Sequence, residues 1–251
     1  RLREKGSLMA SWNLWHGCHR VSEGCRNCYV YAADGRHGKD ASKVYKTGEF
    51  GLPLARSRDG TLKISPGSLV YTCFTSDFLL EDADPWREEA WDMIRKRPDC
   101  RFLFITKRIE RLAKALPSDW GDGWEHVAVM ATCENQEMAD FRAPILRDAP
   151  VKHRGIACEP LLSSVDLTAY LGPWLDIGVV AGGESGEFAR SCRYEWVLSL
   201  REQCMAAGVP FTFKQTGAKF IMDGRLFHIR RKDQHPQAAK AAINFKPQHL
   251  K

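Results

Sequence analysis

The 251-residue sequence predicts an α/β fold, a complete or partial parallel (β/α) barrel. Three observations predict it. Short apolar, β-branched or aromatic runs alternate with longer helical patterns, the order expected of right-handed βαβ units around a parallel sheet. Nearly every strand candidate runs directly into polar residues, and a parallel barrel gathers its active site at the carboxyl ends of its strands. An open doubly wound sheet would gather such residues in a crevice instead of a ring. The length is also ordinary for a single barrel.

The elements follow in order. A first strand is expected near Ser11–His16. Residues 32–66 have little apolar periodicity and much Gly, Lys and Arg, so they read as a long loop or insertion. Further strands are expected at Leu69–Thr75, Arg101–Thr106, Val127–Thr132, His153–Cys158, Ile177–Ala181 and Val209–Lys214. Asp84-Pro85 reads as a helix cap followed by Pro at the first helical position, with Trp86, Ala90, Trp91 and Ile94 as the apolar stripe. Asn135 is placed to cap a helix carrying Met138 and Phe141, which Pro144 should kink or end. Val197, Leu200, Cys204 and Met205 fit one helix face closed by Gly208. The barrel then covers residues 1–217, and residues 218–251 form a basic C-terminal extension, packed on the barrel or trailing it, with a hairpin turning at Asp223-Gly224.

Composition narrows the class. With 44% hydrophobic and 27% charged residues, the chain buries a large core and is not a disordered polymer. No apolar run reaches the roughly 18 residues that cross a bilayer, and residues 1–15 lack a signal-peptide core. A cytoplasmic location without membrane attachment is expected, where nine cysteines serve as thiols or metal ligands before disulfides. The net charge is +6, and residues 214–251 hold nine Lys/Arg against two Asp, so the excess is concentrated there. Nucleic acid is the first candidate partner for Arg225, Arg230, Arg231 and Lys232; a solvated basic tail is the plainer explanation.

The strongest chemical signal is Trp15-His16-Gly17-Cys18, six residues, then Cys25-Arg26-Asn27-Cys28-Tyr29. A short loop after a first strand turns several thiolates toward one centre, which suits a soft metal or an iron–sulfur cluster. Zinc would need a closed fourth ligand, which His16 or His19 supplies. A [4Fe–4S] cluster on three cysteines leaves one iron open to an exogenous ligand such as S-adenosylmethionine (SAM). The loop's place on the catalytic face of a parallel barrel favours the cluster.

Taken with Trp12-Asn13-Leu14-Trp15, Phe74-Thr75-Ser76-Asp77-Phe78, Phe104-Ile105-Thr106-Lys107-Arg108, Glu134-Asn135-Gln136, Cys158-Glu159-Pro160-Leu161 and Gly182-Gly183-Glu184-Ser185-Gly186, the loop resembles the phage Gp37/Gp68 family. The resemblance runs in order from about residue 11 to about residue 245. It implies a radical SAM-like barrel, [4Fe–4S] and SAM as cofactors, an electron donor, and a separate three-Cys-motif partner protein. It implies Cys18, Cys25 and Cys28 as cluster ligands and Tyr29 against the adenine. Two departures stand out: the first gap is six residues where three is usual in the superfamily, and Asn27 precedes the last cysteine where an aromatic is common. Gly182-Gly183-Glu184 resembles the superfamily's glycine motif for the SAM amino group, with a carboxylate suited to an ammonium; it also reads as a tight strand-to-helix turn capped by Ser185. Ser76, Asp77, Lys107, Glu134 and Glu159 are candidate SAM or substrate contacts because they follow strands, although each also suits a structural ion pair.

Cys73, Cys133 and Cys158 at strand ends, and Cys100, Cys192 and Cys204 elsewhere, read as packing thiols. Trp120 and Trp124 line an edge of the fold, and His126, His153 and His228 show no ligand spacing. The rival function is a non-catalytic nucleic-acid-binding module stabilised by zinc. A non-radical SAM enzyme, such as a methyltransferase, leaves the three-cysteine loop without a task.

Overall fold

A computed structural model describes residues 8–248; residues 1–7 and 249–251, the outermost parts of the expected barrel and extension, lie outside the described residues. The apolar runs form β1 (Met9–Trp12), β2 (Leu69–Thr72), β3 (Arg101–Thr106), β4 (Val127–Thr132), β5 (His153–Cys158), β6 (Gly178–Gly182) and β7 (Phe211–Gln215). They lie in one sheet in the order β1 through β7. The pairs β1–β2, β2–β3, β5–β6 and β6–β7 are parallel. An order that never reverses has no topological switch point, so it is not doubly wound and is compatible with a partial parallel barrel. Interior strands such as β4 and β5 are buried almost continuously, as parallel strands covered on both faces are.

Strand β1 begins at Met9, two residues before its expected start, β6 lies one residue later than Ile177–Ala181, and β7 runs Phe211–Gln215 where Val209–Lys214 was expected. The ends of the first two strands differ most. The first strand stops at Trp12, and Trp15–His16 leaves the sheet to pair antiparallel with Tyr45–Lys46. The second stops at Thr72 instead of Thr75, because Cys73 takes a left-handed φ of 63° that no strand continues through.

Helices fill the connections. Helix α1 (Tyr29–Arg36) extends into the segment expected to be a loop; it buries only Val30 and Asp34, which is why no apolar periodicity marks it. The remainder of that segment is largely irregular. The buried Arg97 anchors it by donating to the carbonyls of Pro53 and Ile64. Helix α2 (Asp84–Arg95) has Pro85 in its first turn and buries Ala90, Trp91 and Ile94 as expected. Asp84 does not cap it: its carboxylate is taken by Arg87 and, at 2.8 Å, by Arg111. The short α3 (Leu112–Ala115) precedes β4. Helix α4 (Gln136–Asp148) is capped by Asn135, whose Oδ1 accepts the Met138 N–H at 2.9 Å. Pro144 does not end it, and its buried face is Ala139, Arg142, Ala143 and Leu146, leaving Phe141 exposed.

Helix α5 (Tyr194–Ala206) buries Val197, Leu200 and Cys204 but leaves Met205 exposed. It closes as a Schellman motif, with Gly208 at φ 65° donating to Met205 and Val209 donating to Cys204. The expected hairpin forms from β8 (Lys219–Met222) and β9 (Arg225–His228). Asp223 and Gly224 both have positive φ, as a two-residue type I′ turn requires. Helix α6 (Gln234–Lys240) follows. Among the described residues, no helix is long and apolar enough to cross a membrane.

The chain divides into two units, Arg1–Val21, Val30–Met130 and Ala149–His153, and Ser22–Tyr29, Ala131–Asp148 and Arg154–Lys251. The first has an aromatic core: Phe78 stacks on Phe104 at 4.2 Å, and both pack edge-on against Trp91. Trp120 and Trp124 extend this cluster. The second buries Val179, Val197, Leu200 and Phe211, with Phe213 and Phe220 stacked at 5.9 Å.

Candidate metal centre and its supports

In the first unit, Gly17 positions Cys18. At φ 92° a Cβ on Gly17 would sit 2.2 Å from the Lys43 carbonyl, so only glycine lets the chain pass. The Cys18 N–H donates to Ala41 at 2.8 Å, and the hydroxyls of Tyr31 and Ser76 donate to the carbonyls of Cys18 and Gly17. The Arg108 guanidinium lies 3.6 Å from the Cys18 sulfur and donates to the His19 carbonyl at 2.7 Å. Burial lowers the Arg108 pKa, but Asp77, Cys18 and Glu81 together hold it above the usual value. Asp77 is fully engaged, accepting from the Leu79 N–H, the Thr106 hydroxyl and the Lys107 N–H at 2.8–2.9 Å. Ser76 and Asp77 therefore tie strand-end loops together. Lys107 is half-buried, and its ammonium pairs with no group among the described residues.

His16 and His19 each spend Nε2 on a carboxylate, Asp34 at 2.7 Å and Asp82 at 3.0 Å. That leaves Nδ1 of each ring for any metal.

In the second unit, the loop 22–29 is held by side chains distant in sequence. Glu134, fully buried, accepts the Gly24 N–H at 3.1 Å and the Ser22 hydroxyl, and pairs with the equally buried Arg142 at 2.8 Å. A Cβ on Gly24 would meet the Glu134 carboxylate at 2.7 Å. Asn27 donates to Glu184 at 3.0 Å and to the Phe188 carbonyl at 2.8 Å. Arg190 grips Glu184 through both carboxylate oxygens and also reaches Glu23. Burial raises the Glu184 pKa, but the hydrogen bonds from Arg190 and Asn27 outweigh it and hold the carboxyl below its usual range. Tyr29 is exposed at the start of α1.

The other nominated residues of this unit are also committed. Glu159 pairs with Lys214 at 2.7 Å. A Cβ on Gly183 would meet the Thr216 carbonyl at 2.1 Å, and one on Gly182 would meet Gln215 and Glu159 at 3.2 Å, so both glycines serve close chain approach at the ends of β6 and β7. Ser185 caps no helix, because α5 begins only at Tyr194. Its hydroxyl instead donates to Gln234 at 2.7 Å and receives Arg231. Arg231 also reaches Gln215 at 3.1 Å, and Arg230 pairs with Asp233 at 2.8 Å. Arg225 and Lys232 are exposed.

All nine cysteines are free thiols. Cys18, Cys25 and Cys28 are half-buried and the other six are buried. Burial pushes the Cys133, Cys192 and Cys204 thiols up to about 12 and those of Cys73 and Cys158 well above the usual value. Among the described residues, no group of three His, Cys, Asp or Glu side chains is arranged to hold a metal ion. Cys18 belongs to the first unit, and Cys25 and Cys28 to the second.

Arg108, Arg142 and Arg190 were not singled out in the sequence. Arg108 follows Lys107 directly and was within reach of a strand-end argument. Arg142 and Arg190 gave no local signal, because their partners Glu134 and Glu184 lie eight and six residues away across turns, spacings that no regular helix or strand pairs.

These observations define a class, a parallel α/β protein with a three-thiol loop and buried ion pairs bracing part of it. Residues 7–242 match the family model described as Protein of unknown function (DUF5131), and the chain belongs to that family. No curated protein and no solved structure matches it.

Proposed function

We propose that the chain is a radical SAM-like enzyme of the Gp37/Gp68 type, with Cys18, Cys25 and Cys28 as the thiolates of a [4Fe–4S] cluster. One observation carries this reading: of nine free cysteines, only the three in this loop are half-buried, and the other six are buried. The donor chemistry fits, since a cluster with three cysteine ligands keeps one iron open. Bound there, the cluster and SAM would supply one-electron cleavage of the sulfonium and a carbon-centred radical.

The chain's own residues then have defined tasks. Arg108 keeps a permanent positive charge beside a sulfur that must be deprotonated to hold metal. Glu134 fixes the backbone of the loop carrying Cys25 and Cys28 at Gly24, and Glu184 fixes it through the Asn27 side chain. The half-buried Lys107 ammonium is suited to a carboxylate, such as that of SAM. Glu184 acts through Asn27 and Arg190, as a positioning residue. An electron donor and a three-Cys-motif partner protein belong to the same proposal. Nucleic acid or nucleotide as substrate draws less support than the charge count alone suggested, because Arg230 is neutralised by Asp233 and Arg231 is tied to Gln215 and Gln234.

A zinc-stabilised binding module is the second reading, and one observation favours it. His16 and His19 each bond a carboxylate through Nε2, the arrangement of a metal-ligating imidazole. Metal analysis after anaerobic purification separates the two. About four irons with matching sulfide, lost when all three cysteines become alanine, supports the cluster. A colourless chain holding about one zinc, even after reconstitution with iron and sulfide, overturns it.

A further inference from the structure

The hairpin of β8 and β9 carries a surface that the radical chemistry does not use. Strand β9 stands at the edge of a three-stranded sheet in the order β9, β8, Cys192–Arg193. All four of its residues are exposed, and Leu226 and Phe227 are 49% and 42% accessible. The register fixes which backbone groups point outward. The Ile229 N–H donates to Ala218 at 2.9 Å, so the hydrogen-bonded pairs continue as Phe220↔Phe227 and Met222↔Arg225. The alternate pairs are Ile221↔Leu226 and Lys219↔His228. The N–H and C=O of Leu226 and His228 therefore face away from β8, and no described residue pairs with them.

Natural edge strands are blunted by proline, bulges or charges at the outward positions. Neither Leu226 nor His228 is a proline or a permanent charge, and the register of the hairpin is unbroken. The edge is apolar on both faces: Phe227 lies on the side of the buried Phe220, and Leu226 on the side of Ile221. Meanwhile β8 is anchored, because Phe220 packs on Phe213 and Tyr194. An anchored, open, two-sided apolar edge is what strand addition uses.

Charge selects the occupant. Lys219, Arg225 and Lys232 lie in or beside the hairpin against Asp223 in the turn, while Arg230 and Asp233 neutralise each other, so the local excess is positive. A second copy would bring the same cations against these, so self-pairing is disfavoured. We infer that β9 is a docking edge for an extended acidic segment of another protein, added as a further strand with apolar residues alternating with Asp or Glu.

The test is selection of random linear peptides displayed on phage against the full chain. Enriched sequences are expected to alternate β-branched or aromatic residues with Asp or Glu. A synthetic copy of one should bind Leu226→Pro and Arg225→Glu at least about tenfold more weakly than wild type in fluorescence anisotropy. Leu226→Pro removes an outward N–H and no ladder bond; should circular dichroism show it misfolded, Leu226→Asp, which repels an acidic strand, replaces it. Failure to enrich any peptide, enrichment without acidic residues, or equal binding by the Leu226 variants overturns the inference. Displacement of the peptide by a mixed-sequence single-stranded oligonucleotide also overturns it, and assigns the cations to phosphate.

Discussion

The loop 22–29 and the hairpin 219–228 belong to the same unit and are of similar length, yet they are held in opposite ways. The hairpin is specified within itself: two positive-φ residues turn the chain and an unbroken antiparallel register follows. The loop has only a short 3-10 turn of its own, Glu23–Cys25. Its N–H and amide groups are instead satisfied by Glu134 and Glu184, 110 and 157 residues away. Local turn chemistry is enough for an element whose outer edge stays open. A loop that presents thiols at fixed positions needs buried charge, which is costly to strand and therefore resists rearrangement.

Loss of the Glu134–Arg142 brace should destabilise the chain more than any other single change in the loop or the hairpin. Glu134→Ala leaves Arg142 buried without its carboxylate and the Gly24 N–H without an acceptor. It should cost about 3–5 kcal/mol in urea unfolding; a loss near zero would mean that the loop holds itself, as the hairpin does. Glu184→Gln keeps the shape but removes the charge that Arg190 grips, and about 1.5–3 kcal/mol is expected.

The same residue sets a pH dependence. The folded Glu184 carboxyl lies below its ordinary 4.5, so its contribution is fully present above that pH and is lost as pH falls through the folded value. Wild type should therefore lose more Tm than Glu184→Gln on acidification below about pH 4.5; parallel curves would exclude the pair as the source.

In the hairpin, Gly224→Ala places a Cβ at φ 72° and should cost about 1–2 kcal/mol. The damage should stay local, visible as faster amide exchange in 219–228 with unchanged exchange in 22–29. The smallest effect on stability is expected for Cys25→Ala, under about 1 kcal/mol, since its sulfur is half-buried. Iodoacetamide on the folded, metal-free chain should label Cys18, Cys25 and Cys28, with the other six reacting only on unfolding; early labelling of Cys133 or Cys158 would contradict their burial.

Elements whose cause is local were legible in the sequence. Strands β3, β4 and β5 match their expected limits residue for residue, because polar or turn-forming residues stand within two positions of each end of their apolar runs. The Asn135 cap, the Gly208 closure and the Asp223-Gly224 turn follow from side-chain reach and positive φ, which belong to single residues. Helix α1 was missed because it buries only two of its eight residues and so carries no periodic stripe. The continuation of α4 past Pro144 was missed because packing of Ala143 and Leu146 overrides the local cost of a proline.

By itself, then, the sequence determined a parallel α/β order and the rule that polar residues follow each strand, since periodicity and turn chemistry act over a few residues. It also singled out three clustered cysteines from the other six. Only the tertiary structure decided what the strand-end residues do. Glu134, Glu184, Asp77 and Glu159 read alike as either ligand contacts or structural ion pairs at strand ends, and each is held by a partner that the fold supplies: Arg142, Arg190, Thr106 and Lys214. A buried carboxylate must find a counter-charge or hydrogen-bond donors, and which ones it finds is settled by the fold.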